Sequence, residues 1–84
     1  MSTESQYRTL AERLGSRLRE RREFLRYSLA EVADKCGMSK AGLWQIETAR
    51  SNASIGIVFR LSRVLQVSID ALVKEDEHAK EQQS

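Results

Sequence analysis

A chain of 84 residues, 40% apolar, with no proline and four glycines has room for one small domain and suits helices. A single cysteine excludes an intramolecular disulfide and a paired-cysteine zinc site, and no apolar run approaches the roughly 20 residues of a membrane span. The formal charge of +2 is unevenly spread: residues 1–63 carry 12 Lys/Arg against 7 Asp/Glu, and residues 64–84 carry 2 against 5. That asymmetry fits a basic face that meets phosphate and an acidic tail that does not. The opening residues lack the basic-then-apolar order of a secretory signal, so a soluble, cytoplasmic chain is expected.

Residues 1–8 are polar and read as a flexible N-terminus. A first helix is expected over residues 9–26, with Leu10, Leu14, Leu18 and Leu25 on one stripe. Arg22 falls on that same stripe. An arginine facing inward needs a carboxylate partner, because an unpaired buried charge costs several kcal/mol. The alternative is that its long stem carries the charge out to the rim.

The next twenty residues, 28–47, hold the densest signal in the chain, SLAEVADKCGMSKAGLWQIE. Ser28 and Glu31 have the spacing of a capping box. Leu29, Val32, Ala33 and Cys36 form one apolar face, so Cys36 reads as a small core residue. Gly37 provides the left-handed conformation that ends a helix. Ser39 is a fresh N-cap, and Leu43 and Ile46 give a second short helix its inward face. Two amphipathic helices joined by so short a glycine turn make a helix-turn-helix, whose second helix can enter a DNA major groove. Its outward residues are Lys40, Ala41, Gly42, Trp44 and Gln45.

Residues 48–53 form a polar linker. Ser54 caps a fourth helix over residues 55–65, with Ile55, Val58, Phe59, Leu61 and Leu65 directed inward. Ser68 caps a fifth, carrying Ile69, Leu72 and Val73, with Asp70 well placed in its first turn. The helix-turn-helix domain thus spans residues 9–73 and is all-α, with five short helices. Residues 74–84 are a polar acidic tail with almost no apolar content.

This order of signals resembles the lambda-repressor/Cro class of helix-turn-helix proteins, the xenobiotic-response-element family. The resemblance is carried by Leu14-Gly15, Leu18-Arg19 and Arg22, by Val32-Ala33-Asp34-Lys35 with Gly37-Met38-Ser39, and by Leu43 with Ile46-Glu47. Leu65-Gln66-Val67-Ser68-Ile69-Asp70 completes it. The resemblance implies a compact five-helix domain that binds two half-sites of an operator as a dimer. It also implies a partner for Arg22, the glutamate at the end of the recognition helix, Glu47. Leu29 stands where the family often has a phosphate-clamping glutamine, Ala49 where a glycine commonly follows the recognition helix, and Ala53 where a proline precedes helix four.

The expected contacts follow from position. Ser39 and Lys40 lie at the first turn of the recognition helix, where lysine can donate to guanine or to phosphate. Ala41 and Gly42 are small enough for close approach to base edges, and Gln45 has the phase to reach adenine or phosphate. Trp44 has three readings: against the sugar-phosphate backbone, over the domain's flank, or in a partner interface. Arg50, Ser51 and Asn52 sit in the following loop as phosphate donors.

Nothing converges on a reaction, a metal site or a cofactor, and the single histidine, His78, is in the tail. The expected function is sequence-specific binding of double-stranded DNA by a transcriptional regulator, a homodimeric repressor on a palindromic operator. Its dimer contact is expected through Ile69, Leu72 and Val73. The rival reading, favoured by the acidic tail, is an antitoxin or adaptor module that mainly binds a partner protein.

Overall fold

Four serines set where the chain turns helical. Ser28, Ser39, Ser54 and Ser68 each hold extended backbone, and each Oγ accepts the N–H of the residue three positions on, Glu31, Gly42, Ile57 and Ala71. Each satisfies one of the donors that a helix start leaves without an internal partner. At Ser28 the box is closed from both sides, because Glu31 Oε1 accepts the Ser28 N–H at 2.9 Å. Those bonds, the backbone one first, hold the Glu31 carboxyl below its ordinary range.

The computed structural model describes residues 3–75. They form α1 (Thr3–Phe24), α2 (Leu29–Lys35), α3 (Lys40–Glu47), α4 (Ile55–Leu65) and α5 (Ile69–Val73), and no strand occurs among the described residues. Residues 76–84 of the expected tail, His78 included, lie outside the described residues, as do residues 1 and 2.

Helix ends are as regular as the starts. α1 to α4 each finish with one residue at positive φ: Arg26 (61°), Gly37 (68°), Ala49 (59°) and Gln66 (55°). Behind each, two N–H groups fold back onto the last turn. In α3 these run from Ala49 to Ile46 O at 3.1 Å and from Arg50 to Gln45 O at 2.8 Å. This is the Schellman arrangement, which normally selects glycine because a Cβ in the left-handed region clashes with the chain. Only Gly37 meets that preference.

The core is a single cluster: Leu14 and Leu18 of α1, Val32 and Ala33 of α2 with Cys36, Leu43 and Ile46 of α3, Val58, Leu61 and Leu65 of α4, and Leu72 of α5. α1 is the spine, touching α3, α4 and α5, while α2 lies against α3 and α4. Burial pushes the Cys36 thiol pKa up, with Arg60 opposing the shift, so the thiol is a packed apolar group.

Several sequence expectations need correction. α1 begins at Thr3, not residue 9, because TESQYR contains no breaker and extending an existing helix is cheap compared with nucleating one. Leu10 is 36% exposed, at the edge of a hollow it lines with Ile46, Ser51, Asn52 and Ala53. Ile55 and Phe59 are 76% and 51% exposed. Their phase on α4 leaves them off the arc that Val58, Leu61, Ser62 and Leu65 turn to the core. Leu72 is 1% exposed, so the domain's own core occupies the side chain expected at a dimer contact. Its companions Ile69 and Val73 are half-buried against that core.

Much of the basic charge has a use that sequence reading missed. Arg13 donates through Nε and Nη2 to Val73 O at 3.1 and 2.9 Å. Arg17 donates to Ala71 O and Lys74 O. Arg21 donates to Leu65 O at 2.8 Å and Gln66 O at 3.2 Å. Three arginines four residues apart on α1 therefore satisfy carbonyls at the ends of α4 and α5, where the helix dipole favours positive charge. Their regular spacing beside the leucine stripe was the available signal.

The strain at Ala49 is open to a direct test. Ala49→Gly removes a Cβ clash of about 1–2 kcal/mol, offset by the larger backbone freedom that glycine adds to the unfolded chain. A net stabilisation of about 0.5–1 kcal/mol is expected in urea denaturation; unchanged or lowered stability would show that Ala49 is not strained.

Candidate nucleic-acid interface

α3 has one face committed to the core and one that the core does not use. Leu43 and Ile46 are buried, whereas Lys40, Ala41, Trp44 and Gln45 are exposed on the opposite side. Gly42, expected on that outer face, is half-buried beside the cap. A Cβ there would stand 3.0 Å from Ser39 Oγ and 3.5 Å from Met38 Cε, so its smallness serves the turn into α3.

Trp44 and Arg50 form one unit. The Arg50 guanidinium lies 4.9 Å from the Trp44 ring centroid, within cation–π range. Arg50 follows the left-handed residue of the Schellman turn, so its backbone is tied to Gln45 O and its charge is directed back along α3. Trp44 remains 44% exposed. The indole thus backs a fixed guanidinium beside the outer face. Ser51 is half-buried, Asn52 is exposed, and both border a shallow hollow with Leu10 and Ala53.

The inner side of α3 is held from α1 by charge and by close approach. Arg22 Nε and Nη2 donate to the two carboxylate oxygens of Glu47 at 2.8 and 2.9 Å, and Nη1 donates to Tyr27 O at 3.0 Å. The side chains are 14% and 4% exposed. The hydrogen bond to Glu47, against partial desolvation, raises the Arg22 pKa above its ordinary value. Two helical turns toward the start of α1, Gly15 lies under the end of α3: a Cβ would stand 2.5 Å from Ile46 O and 2.6 Å from Glu47 O. Bare glycine lets the two helices touch backbone to backbone.

Among the described residues no group of three or more His, Cys, Asp or Glu gathers to hold a metal ion, and no helix is long and apolar enough to cross a membrane. What the outer face offers is cations, an amide and an aromatic ring on a rigid short helix, the donor set that suits base edges and phosphates.

The family model of a helix-turn-helix domain matches residues 13–75. The chain belongs to this family. Within it, the chain is 38% identical over 63 residues to the HTH-type transcriptional regulator SinR of Bacillus licheniformis, a match covering 74% of this chain and 57% of that one. It therefore spans little more than half the length of that relative. The solved N-terminal DNA-binding domain of SinR from Bacillus subtilis superposes with a TM-score of 0.72 at 36% identity, covering 77% of this chain and 96% of the other. A crystal structure of SinR, the master regulator for biofilm formation, in complex with DNA matches with a TM-score of 0.69 at 37% identity, covering 73% and 98%.

Two substitutions test how α3 is held. Arg22→Ala strands a nearly buried carboxylate and should cost about 3–5 kcal/mol. Glu47→Ala should cost less, since Arg22 keeps Tyr27 O and can turn outward, and the double variant should be less damaging than the two singles summed. Additive losses of a few tenths of a kcal/mol in denaturant titrations would mean the pair contributes nothing. Gly15→Ala should cost about 1–3 kcal/mol in the same assay, because backbone rather than a pliant side chain must move. A neutral result would mean that α1 and α3 separate freely.

Proposed function

We propose that this chain is the DNA-reading part of a cytoplasmic transcriptional regulator that binds double-stranded operator DNA. The observation that carries the proposal is the outer face of α3: Lys40, Ala41, Trp44 and Gln45 are exposed together, have no role in the core, and lie beside an arginine fixed on the Trp44 ring. The similarity to SinR, whose structure in complex with DNA is among the matches, supports the same reading.

In this mechanism α3 lies in the major groove. Lys40 and Gln45 meet base edges, and Ala41 allows close approach and can touch a thymine methyl. Arg50, Ser51 and Asn52, with Ser39 at the helix start, hold the sugar-phosphate backbone on either side. Trp44 keeps Arg50 directed toward phosphate instead of free in solvent. One such helix reads only a few base pairs, too few for specificity in a genome, so two copies bind a palindromic operator as a homodimer. Occupancy of a promoter then represses transcription without catalysis or cofactor.

Reading and holding separate experimentally. Gln45→Ala should cost about 1–3 kcal/mol on a selected operator and little on random duplex. Arg50→Ala should weaken both and make the log–log salt dependence shallower by about one unit, since one fewer counterion is released. Affinities for both duplexes at several salt concentrations decide the matter. Indistinguishable effects on the operator-to-random ratio would refute the division of roles. An absence of effect from either change would remove α3 from DNA and favour a module that binds a protein partner.

A further inference from the structure

The end of α3 offers a phosphate no backbone donor. The last turn of a helix presents carbonyl oxygens and the negative end of its dipole. The N–H groups that follow are already spent: Thr48 donates to Trp44 O, Ala49 to Ile46 O, and Arg50 and Ser51 to Gln45 O, at 2.8–3.3 Å. The Thr48 hydroxyl is used as well, donating to Trp44 O at 2.7 Å. At the start of α2, Leu29 packs partly against the core and brings no polar side chain. An anion at the end of α3 must therefore be held by side chains that the turn leaves unengaged.

Two such side chains stand together. The Arg50 guanidinium lies 4.9 Å from the Trp44 ring centroid, and neither its N–H groups nor the indole Nε1–H has a hydrogen-bond partner among the described residues. A cation over the face of an indole leaves the ring edge uncovered, and Nε1–H lies in that edge. Thr48 reinforces the arrangement, because its hydroxyl ties the main chain of Trp44 to the turn that carries Arg50. Trp44 is 44% exposed, while Leu43 and Ile46 fill the core side of α3 without it. A phosphodiester presents two charged oxygens, one for a guanidinium and one for an N–H beside it.

We propose that Trp44 and Arg50 form one preassembled clamp for a single DNA phosphate, the indole Nε1–H donating to one oxygen and the guanidinium to the other. The proposal rests on the assignment of α3 as the DNA reader, and it gives Trp44 a contact of its own beyond directing Arg50. The phosphodiester has the same form beside every base, so the clamp adds affinity and fixes the register of α3 without adding sequence preference. Because the ring orders Arg50 before DNA arrives, little side-chain freedom is lost on binding. The two residues act as a unit, and removing either weakens what the other contributes.

The test uses the full 84-residue chain with a random duplex and a duplex selected from a random pool. Trp44→Phe keeps a ring for the guanidinium but lacks the N–H, and should weaken binding to both duplexes about threefold. Trp44→Leu lacks ring and N–H and should cost about tenfold on both, with the selected-to-random ratio and thermal unfolding close to those of the parent. Adding Arg50→Ala to Trp44→Leu should cost less than the product of the two single losses. Methylphosphonate replacement of single phosphates in the selected duplex should find one position at which Trp44→Phe and Arg50→Ala no longer have an effect. The emission of Trp44, the only tryptophan in the chain, should shift on binding and shift less when that one phosphate is neutral. Parent-like affinity of Trp44→Phe overturns the proposal, because the ring alone would then suffice. Losses that multiply independently overturn it too. So does a loss confined to the selected duplex, which would make Trp44 a base reader. Failure of the unmodified chain to bind any duplex is a different result, which removes the α3 reading itself.

Discussion

The contact on which the rest of the site depends is the one between the second half of α1 and the end of α3. Only two side chains of α3, Leu43 and Ile46, reach the core, and a helix of eight residues gains little stability by itself. Its direction is set by the Arg22–Glu47 fork and by the backbone contact at Gly15. A bidentate pair resists rotation about the helix axis as well as separation, because both parallel hydrogen bonds must be kept. A rigid inner side leaves the outer side free to carry Lys40, Ala41, Trp44 and Gln45 without any of them being needed for folding. Arg50 extends that logic past the helix end, since the Schellman turn and the Trp44 ring order a long side chain before any ligand arrives, reducing the entropy lost on binding.

The arginines show how little a residue type says before its surroundings are known. Arg13, Arg17 and Arg21 close the carbonyl ends of α4 and α5, Arg22 pairs with Glu47, and Arg60 donates to Cys36 O at the end of α2. These are structural uses of positive charge, and they keep short helices, whose ends are a large share of their length, from presenting unsatisfied carbonyls. The cations left for an external phosphate at α3 are few and specific: Lys40 and Arg50. Five of the twelve basic residues in 1–63 thus serve carbonyls and a carboxylate of the fold itself, whereas two stand at the proposed interface.

The departures from the family pattern have different consequences. Ala49 takes the left-handed position where glycine is usual, and the Schellman bonds of α3 are made all the same, so the turn is kept at a cost in strain. Ala53 replaces a proline just before the Ser54 cap without disturbing it. Leu29 packs partly against the core, so no side chain at that position is available to brace a phosphate. The proposed reading face therefore relies more heavily on the α3 side chains and on the Arg50 loop.

The helix starts were legible in the sequence because each depends on a serine and the backbone N–H three residues later, a contact contained within four residues. The inward phases of α2 and α3, the core role of Cys36 and the left-handed Gly37 were legible for the same reason: local periodicity and local sterics decide them. The inward position of Arg22 followed from its phase, and Glu47 as its partner came from the family resemblance. What local pattern leaves open is how far each helix is covered by its neighbours. Leu10, Ile55 and Phe59 obey a helical period yet lie where the other described helices leave them exposed, and Leu72 lies where several helices enclose it. Gly42 faces outward in a projection of α3 alone, but the folded-back Ser39 cap occupies the space beside it. The distant carbonyls served by Arg13, Arg17 and Arg21 and the seating of Arg50 on Trp44 likewise exist only once the helices and turns are in place. Periodicity records the direction a side chain takes from its own helix; burial and partnership depend on what stands opposite, which only the tertiary structure decides.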